Sequence, residues 1–455
     1  MAARTRQDFF RQMALALLAG DWTAEALLDR TRRALGRRLR LHWAPPLCRT
    51  LTRRFSAPPG VLELQRMLRQ DLTLIEWLRR RRQPVTVDLP ACGPAVMTPG
   101  LARFREWSVP ALTTTGQVAD WLGLTVSECD WLADPNSWEL RRQTESARNY
   151  RYVWLTRPGR RARLIESPKP RLKALQRQIL HEILDRVPVH PAAHAFRRGR
   201  SVATCLAPHV GQAVVWRADL QHFFPSLRRP RVAAVFRTLG YPDHIALLLS
   251  ALCTNAAPRG VIDSARDFLG EATYEELRLV AGTPHLPQGA PTSPALANLI
   301  AFRLDCRLTG LAREAGARYT RYADDLVFSG GRDFARSLPR FRVLALAIVL
   351  DEGFQIRARK VRTMPAGQRQ QAAGLILNER LNVPREDYDA LRATLHNCMR
   401  FGPASQNRAG HAEFCSHLLG KISHVASTNP ARGEKLRRLF ERIEWDGASD
   451  AGSPR

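Results

Sequence analysis

The chain has 455 residues, 45% of them hydrophobic, enough for a sizeable core and two or three domains, which excludes wholesale disorder. Lysine and arginine number 70 against 42 acidic residues, a formal net charge of +28 that calls for a polyanionic partner, nucleic acid first among them. No apolar run approaches the ~20 residues of a spanning helix, so no membrane partner is expected.

The opening MAARTRQDFF has no apolar segment of signal-peptide length behind a basic head, so a cytoplasmic location is expected. The eight cysteines are scattered and form no CxxC pair, which predicts free, mostly buried thiols. Apolar periodicity predicts helices over residues 9–18, 24–39 and 61–78. Pro45-Pro46 and Pro58-Pro59-Gly60 punctuate this region, and residues 84–100 read as a Pro/Gly-rich linker. Arginines cluster at Arg37-Arg38, Arg53-Arg54 and the 79–82 run. A planar fork that pairs with phosphates and stacks on bases makes this segment a candidate RNA-binding module.

Residues 150–165 read as two strands around a basic Arg157-Pro158-Gly159-Arg160 turn, and residues 172–187 as an amphipathic helix. Strand character returns at 213–220 and 318–329, and helix at 387–399 and 413–424. The apolar run 343–350 fits a core element. Strands set among helices without regular alternation predict an α+β architecture.

Chemistry concentrates in three blocks. In RYADDLVFSGG (321–331), Asp324 and Asp325 stand between two β-type runs. A tight turn beneath them would bring both carboxylates to one sheet edge. Such dense negative charge suits hard divalent cations, whereas a bare Asp-Asp pair on its own is far more often a solvated turn. The context decides: VVWRADLQHFFPSL (214–227) is a second strand that ends on Asp219. Three carboxylates from two strands can hold two Mg²⁺ ions for in-line phosphoryl displacement. The third block, LPQGAPTSPALANL (286–299), places Gly289 where backbone must come close to a ligand or base pair. A helix starting near Ser293-Pro294 fits its capping chemistry.

In this order the blocks resemble the reverse transcriptases, and more narrowly the bacterial retron-type group, over residues 115 to 445. RARLIESPKPRLKALQRQIL (161–180), AHAFRRGRSVATCLAPHVG (193–211), LDEGFQIRARKVR (350–362) and AAGLILNERLNVPRE (372–386) extend the match. The resemblance implies a right hand: an Arg-rich helical extension over 1–110, fingers over 111–212, a palm over 213–375 and a thumb over 376–455. It implies that Asp219, Asp324 and Asp325 are metal ligands, and that Phe224 is the aromatic that blocks a ribose 2′-OH, with Phe223 in the core. Gln288 and Gly289 match a nucleotide- and template-facing pair, Arg163 and Arg200 basic positions near the triphosphate, and Lys360 a lysine near the pyrophosphate. It further implies a structured noncoding RNA as template and primer, an RNA–DNA hybrid, deoxynucleoside triphosphates, and a role in antiphage defence with a separate effector protein. Two segments depart from the retron pattern: Cys205-Leu206-Ala207-Pro208-His209 keeps only the histidine, and Ala372-Ala373-Gly374 only the glycine. Other bacterial reverse transcriptases, group II intron-like ones included, and a non-catalytic RNA-binding protein on a polymerase scaffold are the competing readings.

Overall fold

The computed structural model describes residues 2–19, 22–36, 39–55, 58–81, 85–87, 96–98, 106–157, 160–266 and 268–445. The chain forms two compact units, Met1–Arg186 with Arg228–Pro291, and Val187–Leu227 with Thr292–Arg455. No described helix is long and apolar enough to cross a membrane.

In the first unit, helices Ala2–Leu18, Ala24–Leu35, Ala44–Arg54, Val61–Gln70 and Leu72–Arg79 enclose a core of Phe9, Met13, Leu27, Trp43, Leu51, Leu64 and Trp77. Three details differ from the periodicity. The second helix stops at Leu35, because Gly36 takes φ +91° and turns the chain out of the helix. The 61–78 pattern is two helices, divided at Asp71, whose carboxylate accepts the Leu74 N–H at 2.8 Å and caps the second. Helix Ala44–Arg54 was hidden by Pro45-Pro46, which occupy its first turn, where a missing N–H costs nothing. Arg32, Arg33, Arg53, Arg54, Arg79, Arg80 and Arg81 are exposed. Arg37-Arg38, Arg82, Cys92, the Pro158-Gly159 turn tip and most of the 84–100 linker lie outside the described residues.

Strands β1 (Tyr150–Arg157) and β2 (Arg160–Pro168) form an antiparallel pair, and helix Pro170–Glu182 follows. Leu164 and Glu166 of β2 are buried, whereas Ile165 between them is half-buried and Arg163 before them is exposed, the alternation of a half-buried strand.

The second unit is built on a four-stranded antiparallel sheet of β3 (Val214–Asp219), β4 (Ala317–Tyr322), β5 (Asp325–Gly330) and β6 (Arg362–Pro365), in the order β4-β5-β3-β6. Helices Phe302–Glu314 and Arg332–Asp351 pack against it, and Trp216, Phe328 and Phe341 interlock with ring centroids 5.0 to 6.0 Å apart. The 343–350 run only partly serves the core. It lies in helix Arg332–Asp351, where Ala345 and Val349 are buried while Val343 and Leu350 are 67% and 63% exposed. Helices Arg385–Phe401, Phe414–Thr428 and Pro430–Phe440 close around Leu395, Leu418, Ile422 and Leu436. Cys48, Cys129, Cys205, Cys253 and Cys398 are buried, as expected of small apolar residues, and Cys306 is exposed.

Candidate active site

The sheet register assembles the acidic centre. β3 and β5 pair so that Asp219 faces Asp325 directly, and Asp324 occupies the turn that joins β4 to β5. The Leu220 N–H donates to the Asp324 carbonyl at 2.8 Å, tying the end of β3 to that turn. Ala323, just ahead of Asp324, takes the left-handed conformation at φ +54°, which lets the hairpin reverse in so few residues. The neighbours face opposite ways in an ideal strand; the turn is what keeps both carboxylates at one edge, as the sequence led one to expect.

Charge at this edge is costly, and the surroundings show it. Burial pushes the Asp324 carboxyl above the ordinary carboxylate range, with Asp219 and Asp325 adding repulsion. Burial likewise raises Asp325, against the pull of Arg217. Three cations compensate. Arg217 donates to Asp325 Oδ1 through Nε at 3.0 Å and Nη2 at 2.7 Å. Lys360 Nζ donates to Asp219 Oδ2 at 2.7 Å, and Arg357 Nη1 lies 3.5 Å from Asp219 Oδ1. Asp219 is 1% exposed, and its Oδ1 is buried without a hydrogen bond.

That donor set fits hard divalent ions: carboxylate oxygens only, partly desolvated, one lacking a hydrogen bond. Among the described residues no three acidic, histidine or cysteine side chains already converge as a finished ligand set, since Arg217 and Lys360 occupy carboxylate oxygens. The residues that could hold metal are therefore Asp219, Asp324 and Asp325, with Lys360 giving way at Asp219 Oδ2 while Arg217 keeps its hold on Asp325 Oδ1.

Other predicted residues fall in two groups. Phe223, Phe224, Arg200 and Lys360 share the second unit with the carboxylates. Phe223 is buried and stacks toward Phe354, while Phe224 is half-buried, with its ring 5.9 Å from that of Phe196. Arg200 is exposed. Arg163, Gln288 and Gly289 belong to the first unit. There the Glu166 N–H donates to the Gln288 carbonyl at 2.9 Å, holding the Gln288-Gly289 loop on β2. Gly289 has φ +136°, and a Cβ on it would stand 2.9 Å from the Glu166 carbonyl oxygen, so β2 itself demands glycine there. Behind the loop, His285 Nε2 and Asn255 Nδ2 meet the two oxygens of Glu166 at 2.8 and 2.6 Å. Helix Ser293–Ile300 starts where expected, with proline in its first turn, but Thr292 makes no side-chain cap because its backbone is already helical.

Sequence reading missed Arg217, Arg357 and the Glu166–His285 pair. Arg217 alone left a usable signal: two residues before Asp219 on a strand, it must share that residue's face.

Comparison with known proteins settles the family. A reverse transcriptase (RNA-dependent DNA polymerase) family model matches residues 156–375. The retron Mx65 reverse transcriptase of Myxococcus xanthus is 37% identical over 342 residues, 75% of this chain and 74% of that protein. The chain belongs to the retron reverse transcriptases. The retron Mx162 enzyme of Myxococcus xanthus (35% identical, 75% and 69% of the two chains) and the retron Ec86 enzyme of Escherichia coli (31%, 63% and 78%) agree. This retron reverse transcriptase is thus an RNA-directed DNA polymerase with a polymerase fold of mixed helix and sheet.

Proposed function

We propose that Asp219, Asp324 and Asp325 hold two Mg²⁺ ions, and that DNA synthesis on an RNA template takes place at this edge of the sheet. The observation that carries the reading is the register that sets Asp219 opposite Asp325 with Asp324 in the adjoining turn. Bound ions there supply positive charge to the attacking 3′-oxygen and the leaving pyrophosphate. Arg217 holds Asp325 ionised and in place through its paired N–H groups. Lys360, on the rim of the site and in reach of Asp219, donates a proton to the departing pyrophosphate. Phe224 narrows the sugar pocket against a 2′-OH, the Gln288-Gly289 loop lies along the nucleotide and template, and Arg163 and Arg200 attract the triphosphate.

The same reading divides the chain into extension (1–110), fingers (111–212), palm (213–375) and thumb (376–455). It takes a structured noncoding RNA as template and primer in the cytoplasm, with an RNA–DNA hybrid as product, in antiphage defence alongside a separate effector protein. The exposed arginines on the N-terminal helices support an RNA contact by the extension. The test is primer extension on RNA with Asp324→Asn and Asp325→Asn. Each should lose roughly 1,000-fold or more in rate, because several kcal/mol of charge stabilisation go with the ligand. Circular dichroism should show an unchanged fold. Full activity in either variant overturns the assignment.

A further inference from the structure

One buried side chain touches all three sequence blocks of the site. Arg321, on β4, is 0% exposed. A guanidinium so placed must be fully paired, because an isolated charge in the interior is prohibitively costly. Asp305, itself 0% exposed on helix Phe302–Glu314, accepts from Nε at 2.8 Å and from Nη2 at 2.6 Å, and from the Tyr319 hydroxyl at 2.8 Å. That leaves Nη1, which bridges two acceptors: the Asn298 side-chain oxygen at 3.0 Å and the Ala323 carbonyl at 3.1 Å. Asn298 comes from the helix of the third block, and its amide nitrogen donates onward to the Ala195 carbonyl at 2.9 Å. The guanidinium carbon also lies 5.8 Å from the ring centre of Phe223, next to Phe224. The Arg321 main chain is tied as well, its N–H to Ala192 at 2.8 Å and its carbonyl to His194 at 2.9 Å.

The Ala323 contact is the informative one. Ala323 holds φ +54°, a conformation an L-alanine rarely adopts, in the residue immediately before Asp324. Its carbonyl is pinned by a cation that is itself immobilised on three further elements. We propose that Arg321 is a positioning residue: it fixes the left-handed turn at Ala323 and thereby aims the carboxylates of Asp324 and Asp325. This rests on the reading of those carboxylates as metal ligands. Lysine cannot replace it, since a single ammonium cannot grip both oxygens of Asp305 and still span Asn298 and Ala323.

The experiment compares Arg321→Lys, Asn298→Ala and Asp324→Asn with the parent, each well below its melting temperature. Mn²⁺ affinity is measured by electron paramagnetic resonance without substrate, and kcat and KM for a deoxynucleotide are measured separately. Arg321→Lys should weaken Mn²⁺ binding about 10-fold or more. It should lower kcat about 10- to 100-fold with little change in KM, the signature of a misaimed centre. Asn298→Ala, which leaves the Arg321–Asp305 pair intact, should shift both readouts the same way by a smaller factor. Native Mn²⁺ affinity and kcat in a folded Arg321→Lys overturn the proposal. Should that variant fail to fold, native values in Asn298→Ala overturn it equally. Asp324→Asn separates the two readings. If it binds Mn²⁺ as the parent does, the metal site itself is misassigned; if it alone weakens binding, only the role of Arg321 falls.

Discussion

Gly289→Ala tests how firmly β2 dictates the Gln288-Gly289 loop. The substitution meets two obstacles. At φ +136° an L residue is strained by about 1–3 kcal/mol. The added methyl would also stand 2.9 Å from the Glu166 carbonyl oxygen and 3.3 Å from both its carbon and Ile165 Cγ2. Two of these neighbours are backbone, so relief requires the loop to lift off β2. That loosens the Glu166 N–H to Gln288 carbonyl bond, worth about 1 kcal/mol net. The combined cost is about 2–4 kcal/mol, which lowers the melting temperature by about 5–10 °C in a unit of this size. Calorimetry or thermal circular dichroism measures it. Gly310→Ala is the control: this glycine sits inside helix Phe302–Glu314 with open space at its Cβ, and alanine there should stabilise by about 0.5–1 kcal/mol. A Gly289→Ala melting point at or above the parent's would refute the steric argument.

Phe224→Val should raise the ratio of ribonucleotide to deoxynucleotide incorporation by about 10- to 100-fold; an unchanged ratio would leave Phe224 a core residue only. Lys360→Ala should slow single-turnover addition roughly 100-fold or more while nucleotide binding holds, and a defect confined to binding would reduce Lys360 to a phosphate contact. His209 is buried between Ser329 Oγ at 2.6 Å and Thr320 Oγ1 at 2.8 Å, and burial pushes its pKa down to about 3. Because the unfolded chain takes up that proton first, near pH 6.5, stability should fall by about 1.4 kcal/mol for each pH unit between 6.5 and 3. Denaturant titrations from pH 7.5 to 5 should therefore show a shallower loss in His209→Gln than in the parent, and parallel losses would discount the histidine.

The features legible in the sequence were those carried by short-range pattern. Two β-runs flanking Asp324-Asp325 specify a hairpin, and the strand ending on Asp219 announces itself by alternation and by the aromatics behind it. Contacts made across the fold were not legible. Nothing near Arg321 in the chain points to Asp305 or Asn298, and the Glu166–His285 pair spans more than a hundred residues. Local rules also misled in specific ways. Prolines read as a break at Pro45-Pro46 are compatible with a helix's first turn, and Val343 and Leu350 look like core residues because hydropathy does not say which face of a helix is covered.

The sheet order bears on how the enzyme comes into being. β3 lies between β5 and β6, both of which follow it by more than a hundred residues, so Asp219 leaves the ribosome on a strand without neighbours. Val214, Val215 and Trp216, all buried in the finished sheet, stay uncovered until then. Long-range antiparallel pairing of this kind folds slowly and exposes the nascent strand to aggregation and to chaperones. The acidic edge is consequently completed only after β6 has been made, and a chain released before residue 365 carries Asp219 on a sheet that lacks one of its flanking strands.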